Sequence, residues 1–323
     1  PPAASLPIPD FRAGYQGEVS APSRALLEVV YLCQNRQSWY RDYADRLGLE
    51  RLEFVGSATR ATAPVDAARE IRALLHFDVA NRSALRTRSD VRRHLLEGFE
   101  ELGGLTVTTS MVGNNTQRLL DADEFRGFAL SDDLAPLICV NAADTINGQI
   151  FTIVHEIAHV WRGASGVSDG PIVHDTESEL ERWCNAVASE TLVPARDLRQ
   201  QLHRKLTEDT LTGTLDELAN RYHCGTLVVL LQLKRIRALA LSDFDAAYTS
   251  ERARLNRLAA QAPPSSGGGN FYANQRYRVG GRLSRAIIAD TAEGTTSIAE
   301  AMRLTSIKSL STFDKFAKQM VGA

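Results

Sequence analysis

The run His155-Glu156-Ile157-Ala158-His159 constrains this chain more than any other stretch. On a helix, residues i and i+4 lie one above the other on the same face, so both imidazoles can reach one metal ion. Glu156 follows about 100° round the helix, close enough to touch water at that metal. This H-E-x-x-H pattern is the zinc-peptidase arrangement of two ligands and a carboxylate that takes a proton. Its surroundings strengthen the reading. Phe151, Ile153, Val154, Ile157, Ala158, Val160 and Trp161 are apolar, so Phe151 to Arg162 reads as a buried helix. Such a helix keeps two histidines and a glutamate only if they pair among themselves or bind metal.

Two histidines do not complete a catalytic zinc site, which takes a third protein ligand and leaves a position for water. The next helical stretch, Thr176 to Leu192, follows a candidate N-cap at Asp175 and stops before Pro194. The 3.6-residue period puts Glu177, Glu181, Cys184, Asn185 and Ala188 on one face and turns Glu179 and Glu190 away from it. Glu181 is the first choice of ligand and Glu177, one turn earlier, the second. Cys184 is a soft donor on the same side, better explained as a small packing residue. His174 precedes this helix as a surface residue or a transition-state donor. Tyr222 and His223 are further candidates for an oxyanion donor.

Upstream, Leu105–Ser110, Glu124–Leu130 and Leu137–Asn141 have the β-branched and apolar composition of strands. They predict a small antiparallel sheet beside the metal helix, with an edge that can pair with a substrate backbone. Arg126 in this sheet reads as a salt-bridge residue rather than a substrate anchor. Helices are expected at Ser23–Leu47, Pro64–Leu75 and Ser83–Leu102, with Arg82, Arg86, Arg88, Arg92 and Arg93 of the last stretch on a solvated face. The stretch Leu215–Leu241 has a helix-turn-helix pattern, but its second half is too apolar for a DNA groove and reads as core. A basic, aromatic segment after Pro263–Asn270 reads as a helix packed through Val279, Leu283 and Ile287, with its arginines in solvent.

The function classes this leaves are narrow. A formal net charge of -2 offers no broad basic field for nucleic acid or membrane. No apolar run approaches a membrane span. Cys33, Cys139, Cys184 and Cys224 are scattered without a C-x-x-C pair, which fits a reducing cytosol and excludes a zinc ribbon.

VHEIAHVW followed by ERWCNAVASETLVP resembles the ImmA/IrrE family of zinc metallopeptidases. There the second helix reads roughly E-x-x-x-N-x-(F/V)-A-x-x-L-x-P, matched here by Glu181, Asn185, Val187, Ala188, Leu192 and Pro194. Many members carry phenylalanine where this chain has Val187. FRGFALSDDLAPLICVN and GGGNFYANQRYRVGGRLSRAII resemble a longer bacterial branch. In that branch a helix-turn-helix of the Xre repressor type often precedes a proline-rich linker like PPAASLPIPDF. The resemblance implies an α+β, mostly helical fold with a zincin-like core and a helical C-terminal region. It implies Zn2+, with Mn2+ able to substitute in vitro, held by His155, His159 and Glu181, with Glu156 as base.

The implied activity is cytoplasmic, site-specific cleavage of a protein, a transcriptional repressor or antitoxin, that releases stress, phage or mobile-element genes. DNA would be met only through a preceding domain. The alternative is a regulator that binds through the peptidase fold with little proteolysis; a zinc hydrolase of a non-peptide substrate is weaker still, since nothing cradles phosphate. The expected organisation is a linker at 1–22, a helical part at 23–100, the metallopeptidase core at 101–206, a helical support at 207–262 and a C-terminal subdomain at 263–323.

Overall fold

The structure, a computed structural model, describes residues 6–10, 21–168, 178–202, 205–261 and 270–321. Its strands are β1 (Leu105–Thr109), β2 (Gly127–Leu130), β3 (Leu137–Asn141) and β4 (Gly166–Ser168). The helices before and around the sheet are α1 (Arg24–Arg46), α2 (Pro64–Leu74), α3 (Arg88–Glu101), α4 (Ile146–Trp161) and α5 (Glu179–Leu192). The chain continues through α6 (Ala195–Gln201), α7 (Glu208–Tyr222), α8 (Thr226–Arg235) and α9 (Phe244–Gln261). After residue 270 come α10 (Phe271–Val279), α11 (Gly281–Ala292), α12 (Ile298–Thr305) and α13 (Leu310–Val321). The fold is α+β and mostly helical.

The sheet order is β1-β3-β2-β4. It is mixed rather than antiparallel throughout. β2 pairs antiparallel with β3 and with β4, but β1 pairs parallel with β3. The connection spanning 110–126 is long enough to carry the chain past one strand position, and β3 then fills the gap. β4 adds a fourth strand, too short for a periodicity signal.

Alternation along the strands builds a core on each face. Ile138, Val140 and Ala129 face α4, where Ile150, Ile153, Val154 and Ile157 meet them. Leu137, Cys139, Phe128 and Leu105 face the other way, onto Val29 and Val30 of α1 and Leu283 and Ile287 of α11. The result is three layers, with the sheet buried on both faces. Val279, Leu283 and Ile287 are fully buried, as their spacing predicts. Arginines of this segment are not all in water: Arg282 donates to the Tyr40 hydroxyl at 2.7 Å and to the Glu100 carbonyl at 3.1 Å. In α8, Val228, Val229, Leu230 and Leu233 are buried in the first core, which leaves them no groove-reading role.

The expected helix over Ser83–Leu102 is broken. A 3-10 turn at Asn81–Ala84 gives way to extended backbone, and α3 starts afresh on a Thr87–Asp90 capping box. Arg82, expected on a solvated face, is 1% exposed. Its guanidinium donates to the carbonyls of Thr191 (2.7 Å), Phe77 (3.2 Å) and Leu192. Thr191 and Leu192 end α5, so Arg82 satisfies carbonyls that a helix end leaves unpaired. Burial pulls its pKa down to about 10, still charged at neutral pH. Arg82→Met should strand these carbonyls at ~1–3 kcal/mol each and lower unfolding free energy by at least ~3 kcal/mol. Urea denaturation checks this; a loss under ~1 kcal/mol would mean that water replaces the guanidinium.

Candidate active site

α4 begins at Ile146, earlier than its apolar run suggests, because the Thr145 side chain caps it by accepting from the Gly148 N–H. From Gln149 to Trp161 every residue is buried. His155 and His159 therefore project from one face, one turn apart, into protein rather than solvent. α5 packs against α4. It starts at Glu179 with Ser178 as its N-cap, so Glu181 lies in its first turn. His174, Asp175, Thr176 and Glu177 lie outside the described residues.

The three donors converge. Glu181 Oε1 lies 2.9 Å from His159 Nε2, and Glu181 Oε2 lies 3.1 Å from His155 Nε2. The two Nε2 atoms are 3.1 Å apart. Bonds of about 2.0–2.1 Å meeting at tetrahedral angles would set donors about 3.3 Å apart, so these residues fit a small divalent cation. They are the group among the described residues that can hold a metal, and all are buried.

The charges at the site are tightly linked. Burial alone would raise Glu181, but His155 and His159 outweigh it and hold the carboxyl well below the usual range. Burial lowers His155, yet Glu181 and Glu156 bring it above its ordinary value. His159 stays below its ordinary value because burial exceeds the pull of Glu181. Glu156 is wholly buried, with the Ser168 hydroxyl beside its carboxylate. Burial pushes its pKa up to about 8; His155 and the Ser168 hydroxyl oppose the rise and Glu181 adds to it. Without a metal this carboxyl keeps its proton at neutral pH; a divalent cation held by the neighbouring donors would favour the ionised form.

A small cleft lined by Arg126, Phe151, Thr152, Ser168 and Asn185 opens on His155 and Glu156. The Ser168 hydroxyl stands 3.3 Å from His155 Nε2. Arg126 reaches the cleft and bonds Asp144 at 2.7 Å, the salt bridge its setting suggested. Other candidates stay away from the cleft. The Tyr222 hydroxyl donates to Asp197 at 2.6 Å, and His223 is the left-handed C-cap of α7. Glu190 accepts from Gln232 at 2.6 Å. The Cys184 thiol is buried and pushed far up by that burial, outside the donor group.

Sequence reasoning missed Gly127, Thr152 and Ser168. A Cβ at Gly127 would stand 2.5 Å from Thr152 Cγ2, 2.8 Å from the Cys139 carbonyl and 3.0 Å from Glu156 Oε1. This first residue of β2 is therefore the wall against which Glu156 rests, and its only sequence signal is a lone glycine at a strand start. Gly127→Ala should cost ~1–3 kcal/mol of stability through overpacking, and should displace the Glu156 carboxylate. Thermal unfolding together with turnover checks this. Full activity at unchanged stability would mean that the wall yields freely.

Residues 100–234 match the family model described as the IrrE N-terminal-like domain. The match runs from the end of α3 through the sheet, α4 and α5 into α8. Residues 279–319, within α10 to α13, match a domain of unknown function. Among curated proteins none matches this chain. The buried His155-His159-Glu181 group lies inside this matched segment, so residues 100–234 are similar to a peptidase domain of the ImmA/IrrE type.

Proposed function

We propose that this chain is a zinc-dependent endopeptidase that cuts a specific protein at an internal peptide bond. His155, His159 and Glu181 hold the metal, and Glu156 is the general base. The observation that carries the reading is the convergence of three buried donors within about 3 Å of one another, beside the wholly buried Glu156 carboxylate. A pure binding module has no use for that carboxylate, whose burial is costly.

Zn2+ at this donor set supplies a Lewis acid that polarises a carbonyl and lowers the pKa of water from about 15.7 to roughly 7. The protein's own residues do the rest. Glu156 takes the proton of the attacking water on a carboxylate oxygen and passes it to the leaving amine. Burial of α4 keeps bulk water from competing for that proton. Ser168 and Asn185 present hydrogen-bonding groups to a peptide in the cleft.

The match of residues 100–234 to a peptidase-type domain supports a protein substrate, and a transcriptional repressor or antitoxin is the target class proposed. Its cleavage would release stress, phage or mobile-element genes. Among the described residues no helix is long and apolar enough to cross a membrane, and the four free, buried cysteines fit a cytoplasmic protein. Incubation with the repressor or antitoxin encoded beside its gene, with added Zn2+ or Mn2+, tests the proposal. A discrete cut abolished by a chelator is the expected result. Bound metal with no cut would move the reading to a regulator that uses the fold for binding.

A further inference from the structure

β4 ends the sheet on one side, and an edge strand offers unpaired backbone groups to any extended chain. That edge is already engaged. The Val167 N–H donates to the Pro9 carbonyl at 3.0 Å, and Asp10 forms a parallel bridge with Val167. Leu6 and Ile8, both half-buried, pack against the second core, in which Val167 is itself buried. One residue further along β4, Ser168 lines the cleft beside Glu156, its hydroxyl 3.3 Å from His155 Nε2. A peptide lying along the outer edge of β4 thus leads directly to the candidate metal site. Strand addition of this kind is a general way for a sheet to hold an extended peptide, with backbone hydrogen bonds giving the affinity.

We propose that Leu6–Asp10 is an autoinhibitory segment, occupying in cis the β4 edge that an extended substrate peptide must use. Its consequence for activity rests on the peptidase reading above; its occupancy of the edge does not. The hold is built to be displaced. Pro7 and Pro9 have no N–H, so the segment cannot continue the ladder as a full strand. Among the described residues, the short bridge to Val167 and two half-buried side chains hold it. A substrate able to pair through successive N–H and C=O groups outcompetes it.

Leu6→Ser/Ile8→Ser removes the anchors and leaves β4 and the metal-site residues intact. Amide hydrogen exchange at Val167 should quicken ~10-fold, about the worth of one net hydrogen bond, while the amides of α4 exchange as before. Saturating acetyl-Leu-Pro-Ile-Pro-Asp-amide should slow Val167 again in the variant and have little effect on wild type. With Zn2+ added, the variant should show a lower KM at unchanged kcat on quenched-fluorescent peptide libraries. Equal Val167 exchange in the two proteins overturns the occupancy. Faster exchange with an unchanged KM overturns the inhibitory role. Hydrolysis by neither protein counts against the peptidase reading, and the segment is then judged on Val167 exchange and its protection by the added peptide.

Discussion

Glu156→Gln is expected to bind metal as wild type does and to lose at least ~10²-fold in cleavage, the lower range for removing a general base. The amide fills the same space against Gly127 and Thr152, so the three donors keep their geometry. What disappears is the basic oxygen. The loss should fall on kcat, since Glu156 is proposed to act on the proton in flight rather than to hold substrate. Near-normal turnover would remove Glu156 from the mechanism. A second signature separates chemistry from misfolding. In chelator-treated wild type, the Glu156 pKa of about 8 stands above the ordinary 4.5. The stability this group contributes is therefore complete below pH 4.5 and is lost as pH rises through about 8. Glu156→Gln has no such group, so its stability relative to wild type should climb across that window. Parallel stability profiles for the two proteins would mean that the carboxylate is not buried as described.

The legible and the illegible parts of this molecule divide by the range of the interaction. The 3.6-residue period fixes which side chains share a helix face, so His155 pairs with His159 and the third donor narrows to Glu181 or Glu177; the structure brings His155, His159 and Glu181 together. Strand positions in β1 and β3 were legible from local pattern: β1 alternates and is rich in β-branched residues, and β3 opens on a short apolar run. The parallel pairing of β1 with β3 was not, because it depends on which gap the chain leaves when it passes over 110–126. Arg82 was misread because its partners, the carbonyls of Thr191 and Leu192, are more than a hundred residues away and backbone carbonyls leave no mark in a sequence. Ser168 and the Pro9–Val167 contact were hidden likewise: β4 spans only Gly166–Ser168 and has no period to detect.

Glu181→Ala is expected to abolish stoichiometric metal binding, and activity with it. The carboxylate supplies both oxygens that face the imidazoles, at 2.9 and 3.1 Å, and its charge opposes the mutual repulsion of two histidines 3.1 Å apart. Loss of an outer partner of a metal ligand typically costs ~10–100-fold in affinity; loss of a ligand itself should exceed that. Metal analysis after dialysis reads the stoichiometry directly. Thermal unfolding gives an independent measure. A metal that binds only the folded protein stabilises it by ~4.1 kcal/mol at a thousandfold excess over Kd, so added Zn2+ should raise the Tm of wild type and of Glu156→Gln but leave Glu181→Ala unmoved. Glu177→Ala should respond to Zn2+ as wild type does. If Glu177→Ala loses the metal and Glu181→Ala retains it, the third ligand moves one turn toward the N-terminus. The ion pairs of Glu181 with His155 and His159 would then be a structural contact beside the metal instead of the cradle that holds it.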